Sequence, residues 1–245
     1  MTPLVAAPLG AVLGAIAGSF LATLILRWPE GRSVARGRSQ CDGCGRMLGL
    51  TDLVPLLSAL AQRGQCRACG ARIDPLHCRV ELGCAVLGGF ALGMAPDVGG
   101  LAWALLGWLL LALAILDWRH FWLPDALTLP LAFAGLTIGE WATDVSLMDR
   151  AIGATTGYGA LLLIGLCYRA VRGRDGLGMG DAKLLGALGA WFGWQTLPFI
   201  MLIAATGGLV AVLGALAWGK PMTPTTRAPF GTLLAGAALP AWLLM

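Results

Sequence analysis

Long stretches without a single charged side chain constrain this chain more than anything else in it. Residues 1–26, 82–96, 98–116, 126–139, 151–168, 184–219 and 228–245 contain no Asp, Glu, Lys or Arg. A helix needs about 20 apolar residues to cross the hydrocarbon layer of a bilayer. The 184–219 run is too long for one crossing and contains Gly193 and Pro198, so it reads as two. The 126–139 run is short, and uncharged flanks with a Trp141 anchor extend it. Only 12% of the residues are charged, against about a quarter in a soluble domain, too few for a water-facing surface of ordinary size. Lipid offers no partner to unpaired backbone groups. The expected fold is therefore all-α, a polytopic bundle of about eight transmembrane helices. Its many Gly and Ala residues suit close helix packing in lipid.

Met1 to Gly10 lacks the basic residue that opens a signal peptide. Residues 1–27 are expected to be a retained first span with its N-terminus outside. Nine Arg lie at 27–79: Arg27, Arg32, Arg36, Arg38, Arg46, Arg63, Arg67, Arg72 and Arg79. Arg119 falls in the next loop on that face, Arg169, Arg172, Arg174 and Lys183 in a third, and Lys220 and Arg227 in a fourth. Arg150 alone falls in a loop of the opposite face. Basic residues collect in cytoplasmic loops, so the 28–80 insertion is expected on the cytoplasmic side, with residues 81–245 forming the remaining bundle. The basic residues are not interleaved with an aromatic platform, which argues against nucleic acid as a partner. Anionic lipid headgroups fit them better.

The insertion contains Cys41-Asp-Gly-Cys44 and Cys66-Arg-Ala-Cys69, separated by twenty-one residues. Each pair can present two thiolates to one ion, and four thiolates close a tetrahedral zinc shell with no position open for chemistry. Gly43, Gly45 and Gly70 suit the tight turns this needs. A thiol redox pair or unmetallated cysteines are the alternatives. Cys84 and Cys167, inside apolar helices, are expected to pack as small hydrophobes.

Carboxylates at the edge of a membrane are costly and mark functional sites. Asp117 closes a nineteen-residue apolar run, and Asp181 sits in Gly178-Met179-Gly180-Asp181-Ala182-Lys183 on the same face by the charge count. The glycines allow a tight backbone approach and unusual dihedrals before a helix begins. Two facing carboxylates can share one proton, one serving as base towards a water and the other as acid. A carboxylate-lined cation path, or a non-enzymatic assembly factor built on the cysteine module, would also suit these residues. Asp125 follows Pro124 and is expected to cap a helix.

Taken in order, the motifs resemble the type IV prepilin peptidases. Gly18-Ser19-Phe20-Leu21 with Arg27 and Pro29 is similar to the family's opening motif. The paired cysteines follow, then Val80-Glu81-Leu82, Asp117 with Leu123-Pro124-Asp125, Gly178-Met179-Gly180-Asp181 with Lys183, and Pro229-Phe230-Gly231. The resemblance implies catalytic Asp117 and Asp181, with Gly178, Gly180, Asp125 and Lys183 as supporting motif residues. It implies Cys41, Cys44, Cys66 and Cys69 as ligands of a structural zinc. It further implies a multi-pass protein of the bacterial inner membrane, its N-terminus periplasmic, that removes the basic leader of prepilins or pseudopilins at the cytoplasmic face. The new N-terminus would then be methylated with S-adenosylmethionine. Two positions depart from the pattern: Ala22 stands where Asn is usual, and Asp42 where Pro is common.

Overall fold

A computed structural model describes residues 1–34, 39–174, 176–219 and 228–243, with side chains as far as Ala241. Arg36, Arg38, Lys220 and Arg227 of the charge count lie outside the described residues. Among the described residues the regular structure is helical, apart from two isolated bridges, Gln40 with Met47 and Gln65 with Arg72. The chain divides into two compact units, Met1–Ala112 and Leu113–Met245.

In the first unit, α1 (Pro3–Arg27) packs along α3 (Pro75–Met94), and α2 (Leu57–Ala61) is a short helix of the insertion between them. The α1–α3 contact is built on Gly10, Gly14 and Gly18, spaced four apart on one face of α1. Each lies against α3 backbone; a methyl group on Gly18 would stand 2.7 Å from the Glu81 Cα. Small residues at this spacing let two backbones approach, which is where helix association in lipid gains its packing energy. Ala6, Ala91, Leu92 and Ala104 form a buried cluster capped by Trp103 and Trp108, and the Trp108 indole donates to the Cys84 carbonyl at 2.8 Å. Cys84 is buried as expected, whereas Cys167 is exposed. It stands on the C-terminal half of α7, most of whose residues are exposed.

The boundary between the units falls within α4 (Val98–His120). The second unit continues with α5 (Asp125–Ile138), α6 (Glu140–Thr143), α7 (Leu147–Arg172), α8 (Met179–Phe192), α9 (Leu197–Ala217) and α10 (Phe230–Leu243). Its centre is α8, eleven of whose fourteen residues are buried, so this helix meets protein on nearly every side. It packs against α7, α5 and α10. Gly153 and Gly157 of α7 fit against Gly189 and Leu185, and Gly135 of α5 fits against Trp191. The Trp191 indole donates to the Leu131 carbonyl at 2.9 Å.

Among the described residues, five helices are long and apolar enough to cross a membrane: α1, α3, α4, α7 and α9. Against about eight spans expected from the sequence, the described residues add two shorter apolar helices, α5 and α10, and the fourteen-residue α8. The 184–219 run breaks where expected: α8 ends at Phe192, Gly193 takes a left-handed φ of 74°, and α9 begins at Leu197. At 1.5 Å per residue, α5 and α8 are each about 21 Å long, short of a hydrocarbon core of about 30 Å.

The extension of α5 towards Trp141 occurs with a break at Gly139, which keeps a right-handed helical conformation, and α6 carries the helix through Trp141 to Thr143. At this break Arg150 reaches in from α7 and donates to the Gly135 and Leu136 carbonyls of α5. Arg150 is 1% exposed and donates to Gly135 O at 2.6 Å and Val145 O at 3.0 Å. It is a buried helix clamp and not a loop charge, so it carries no topological information.

Candidate functional site

The insertion folds into two matching turns. In the first, Cys41 N–H donates to Arg46 O and Gly45 N–H to Cys41 O, both at 2.9 Å. In the second, Cys66 N–H donates to Ala71 O at 2.8 Å and Gly70 N–H to Cys66 O at 2.9 Å. Gly45 and Gly70 take φ of 69° and 70°, a left-handed conformation open to glycine at no steric cost. Gly43 is needed for space, since a methyl there would stand 2.7 Å from the Ala71 Cβ. The turns bring the sulfurs of Cys41, Cys44, Cys66 and Cys69 within 4.8 Å of one another, with Cys41 and Cys69 at 3.8 Å. The edge of a tetrahedron with zinc–sulfur bonds of about 2.3 Å is about 3.8 Å, so the donor set suits zinc. Amides of Cys69 and Ala68 hold the Cys66 thiol down to about 6. The Ala71 amide acts in the same sense on Cys69, but the crowded Cys44, desolvation, Cys66 and Cys41 push it up to about 11. Four thiols this close cannot all ionise without a cation among them. Asp42 lies beside this module, bonded to Arg32 at 3.0 Å.

The second site lies within the Leu113–Met245 unit. Asp117, near the end of α4, is 5% exposed. Its Oδ2 accepts the Thr232 N–H at 2.7 Å and the Thr232 hydroxyl at 3.2 Å, and that hydroxyl also bonds the Ala114 carbonyl at 2.9 Å. Asp117 thereby caps α10 from another helix, and the amides of a helix start favour a negative charge. Asp181, in the first turn of α8, is 9% exposed. Its carboxyl turns back towards the backbone of Gly178, the residue that precedes the helix. The Gly231 amide faces both aspartates, and the two are close enough for the Asp117 charge to act on Asp181.

Leu123 wedges this site. A methyl group at Gly180 would stand 2.8 Å from its Cβ, and one at Gly231 would stand 2.7 Å from its Cδ1 and 3.1 Å from Asp117 Oδ2. Both glycines are therefore required by close approach. Gly178 has an ordinary φ of −73°, so the unusual dihedrals expected there are absent. Phe121, which ends α4, has a left-handed φ of 49°, a strained conformation for an aromatic residue.

Asp125 does not cap α5. Pro124 takes that position, and Asp125 sits in the first turn, where both its oxygens accept from Lys183 Nζ at 2.6 and 2.8 Å. Two of the four residues named as motif support thus pair with each other. Thr232 was not singled out in the sequence and Gly231 carried no role there; one signal was available, the place of Pro229-Phe230-Gly231 at the start of the uncharged 228–245 run.

An all-helical multi-pass membrane protein, with a four-cysteine module in one unit and a buried aspartate pair in the other, is the class these features define. Residues 12–94 match the bacterial peptidase A24 N-terminal domain, and residues 104–213 match the type IV leader peptidase family. The chain belongs to that family. It is 43% identical over 205 residues to a prepilin leader peptidase/N-methyltransferase of Burkholderia pseudomallei, covering 82% of this chain and 66% of the relative. Proteins of the same name from Stutzerimonas stutzeri and Pseudomonas putida are 38% and 36% identical, covering 95% and 96% of this chain and 88% and 89% of theirs. No solved structure matches.

Proposed function

We propose that this chain is a membrane aspartic endopeptidase that removes the leader from prepilins or pseudopilins, and that it then methylates the new N-terminus with S-adenosylmethionine. The observation that carries the cleavage reading is the meeting of Asp117 and Asp181 around the Gly231–Thr232 start of α10. Two buried carboxyls that share the Gly231 amide, with the Asp117 charge acting on Asp181, favour a state that holds one proton between them. The ionised member takes a proton from a water that attacks the scissile carbonyl. The protonated member gives its proton to the carbonyl oxygen, forming a tetrahedral diol; as the C–N bond breaks, the member that took the water's proton passes it to the leaving amine, and the other takes a proton back from the diol, restoring the pair. Thr232 fixes one oxygen of Asp117, leaving the other to face the reacting groups.

Cys41, Cys44, Cys66 and Cys69 would hold zinc, which with four thiolates closes the insertion and does no chemistry. The skew of basic residues supports a cytoplasmic insertion and an inner-membrane location with a periplasmic N-terminus, and it is cleaner with Arg150 removed from the count. A cut at the cytoplasmic membrane edge matches a substrate with a basic leader followed by an apolar helix. Purified protein mixed with a prepilin-like peptide tests the reading. Cleavage after the leader, with a further gain of one methyl group on the product when S-adenosylmethionine is added, is expected. An intact peptide after prolonged incubation would rule out the peptidase.

A further inference from the structure

The Met1–Ala112 unit contains a cavity that the peptidase reading leaves unused. It encloses about 170 Å³ between the Arg27 end of α1, the Pro75 end of α3 and the two cysteine turns. Ser19, Thr23 and Arg27 of α1 and His77 and Glu81 of α3 are among its walls. Glu81 is 6% exposed, although it sits in an apolar helix pair where an unpaired carboxylate is costly. Its Oε2 accepts the Leu56 N–H at 2.8 Å. Its Oε1 has no hydrogen bond or ion pair among the described residues, yet no buried polar side-chain atom there is left sealed without a partner. Oε1 therefore opens into the cavity. Gly18, pressed against the Glu81 backbone, fixes the carboxylate at this point. Arg27, on the same cavity, has an 18% exposed side chain whose nearest acidic contact is Asp42, at 3.9 Å.

A buried carboxylate with no ion pair among the described residues calls for a cation from a ligand, and an arginine in the same cavity suits an anionic group on that ligand. We propose that this cavity binds S-adenosylmethionine, with Glu81 taking its cationic ammonium and sulfonium end and Arg27 its carboxylate. The proposal rests on the methyltransferase reading above and gives that activity a site in a different unit from Asp117 and Asp181. The cysteine turns form one wall, Cys41 and Cys66 included, so donor binding depends on the folded module. The same carboxylate could hold the amine of a cleaved substrate; the donor is favoured because the cavity offers both signs of charge.

Binding of S-adenosylmethionine to the zinc-loaded full-length protein in detergent, followed by equilibrium dialysis, tests this. Glu81→Gln keeps an acceptor for the Leu56 N–H while removing the charge, so the fold should persist, as judged by zinc content and thermal unfolding. Affinity should fall about ten- to a hundredfold, the worth of a hydrogen bond to a charged group. Ala59→Phe, which fills the cavity and leaves Glu81 alone, should also abolish binding. S-adenosylhomocysteine, lacking the sulfonium charge, should lose less on Glu81→Gln. Wild-type affinity in both variants would overturn the site while leaving the methyltransferase reading intact. If the wild-type protein neither binds the donor nor methylates a cleaved peptide, that reading fails and the site falls with it. Loss of cleaved-peptide binding alone in Glu81→Gln would reassign the carboxylate to the substrate amine and overturn the donor assignment.

Discussion

Replacing Gly231 by alanine should cripple cleavage while leaving the protein assembled. A methyl group at 231 would stand 3.1 Å from both Cγ and Oδ2 of Asp117, and 2.7 Å from Leu123 Cδ1. The leucine end can swing away. The carboxyl can yield a few tenths of an ångström only by loosening its 2.7 Å bond from the Thr232 amide. Overpacking of this kind costs about 1–3 kcal/mol, and misplacing a catalytic group by about 1 Å costs about a hundredfold in rate. The expected fall in kcat is therefore about ten- to a hundredfold, with KM little changed, because the carboxyl moves and the surface that meets the substrate does not. Gly236→Ala is the control. It lies five residues further along α10 with no atom within 4 Å of the added methyl. Alanine is better than glycine inside a helix by about 1 kcal/mol, so this variant should cleave normally and melt no lower than wild type. Initial rates over a range of peptide concentration, with thermal unfolding of each variant, make the comparison. A Gly231→Ala enzyme with wild-type kcat would refute the close packing of α10 against Asp117.

Three other outcomes are expected. Arg150→Met should lower the unfolding midpoint, because it strips the Gly135 and Val145 carbonyls of a buried donor, at about 1–3 kcal/mol per unsatisfied group; unchanged melting would contradict the clamp. Zinc affinity should rise with pH: Cys66, at about 6, is mostly ionised at neutrality, whereas Cys69, at about 11, must give up its proton to bind. A competition titration should therefore show weaker zinc binding at pH 6 than at pH 8, with proton release on uptake, and equal affinity at both would be inconsistent with four thiolate ligands. The Lys183–Asp125 pair is partly exposed, and pairs of that kind couple by about 1 kcal/mol or less. Asp125→Asn should then keep cleavage within about fivefold of wild type, and a loss approaching that of an Asp117 variant would give Asp125 a direct part in the reaction.

Much of this was legible in the sequence because it is written locally. Uncharged runs mark helices, Gly193 and Pro198 mark the break between α8 and α9, and the CxxC spacing marks the two turns. What was not legible depends on partners far apart in the chain. Asp117 and Thr232 are 115 residues apart, and no local pattern announces that an aspartate on one helix will cap another. Lys183 and Asp125 are separated by 58 residues, so Asp125 looked like a helix cap until its partner was known. Arg150 misled for the same reason. By position it is a loop charge, but the open carbonyls at the end of α5 draw it inside. Of the two properties expected of the glycines before Asp181, close approach holds at Gly180, which Leu123 crowds, while Gly178 keeps an ordinary φ.

The most direct test of the account asks whether Asp117 and Asp181 act as one unit. Single-turnover cleavage of a prepilin-like peptide should be measured for Asp117→Asn, Asp181→Asn and the double variant, each matched to wild type in thermal unfolding. Groups that work as a unit are strongly non-additive, so that removing one costs about as much as removing both. Each single variant is expected to fall to the rate of the double variant. Substantial cleavage in either single variant, or losses that simply add, would contradict a shared catalytic pair.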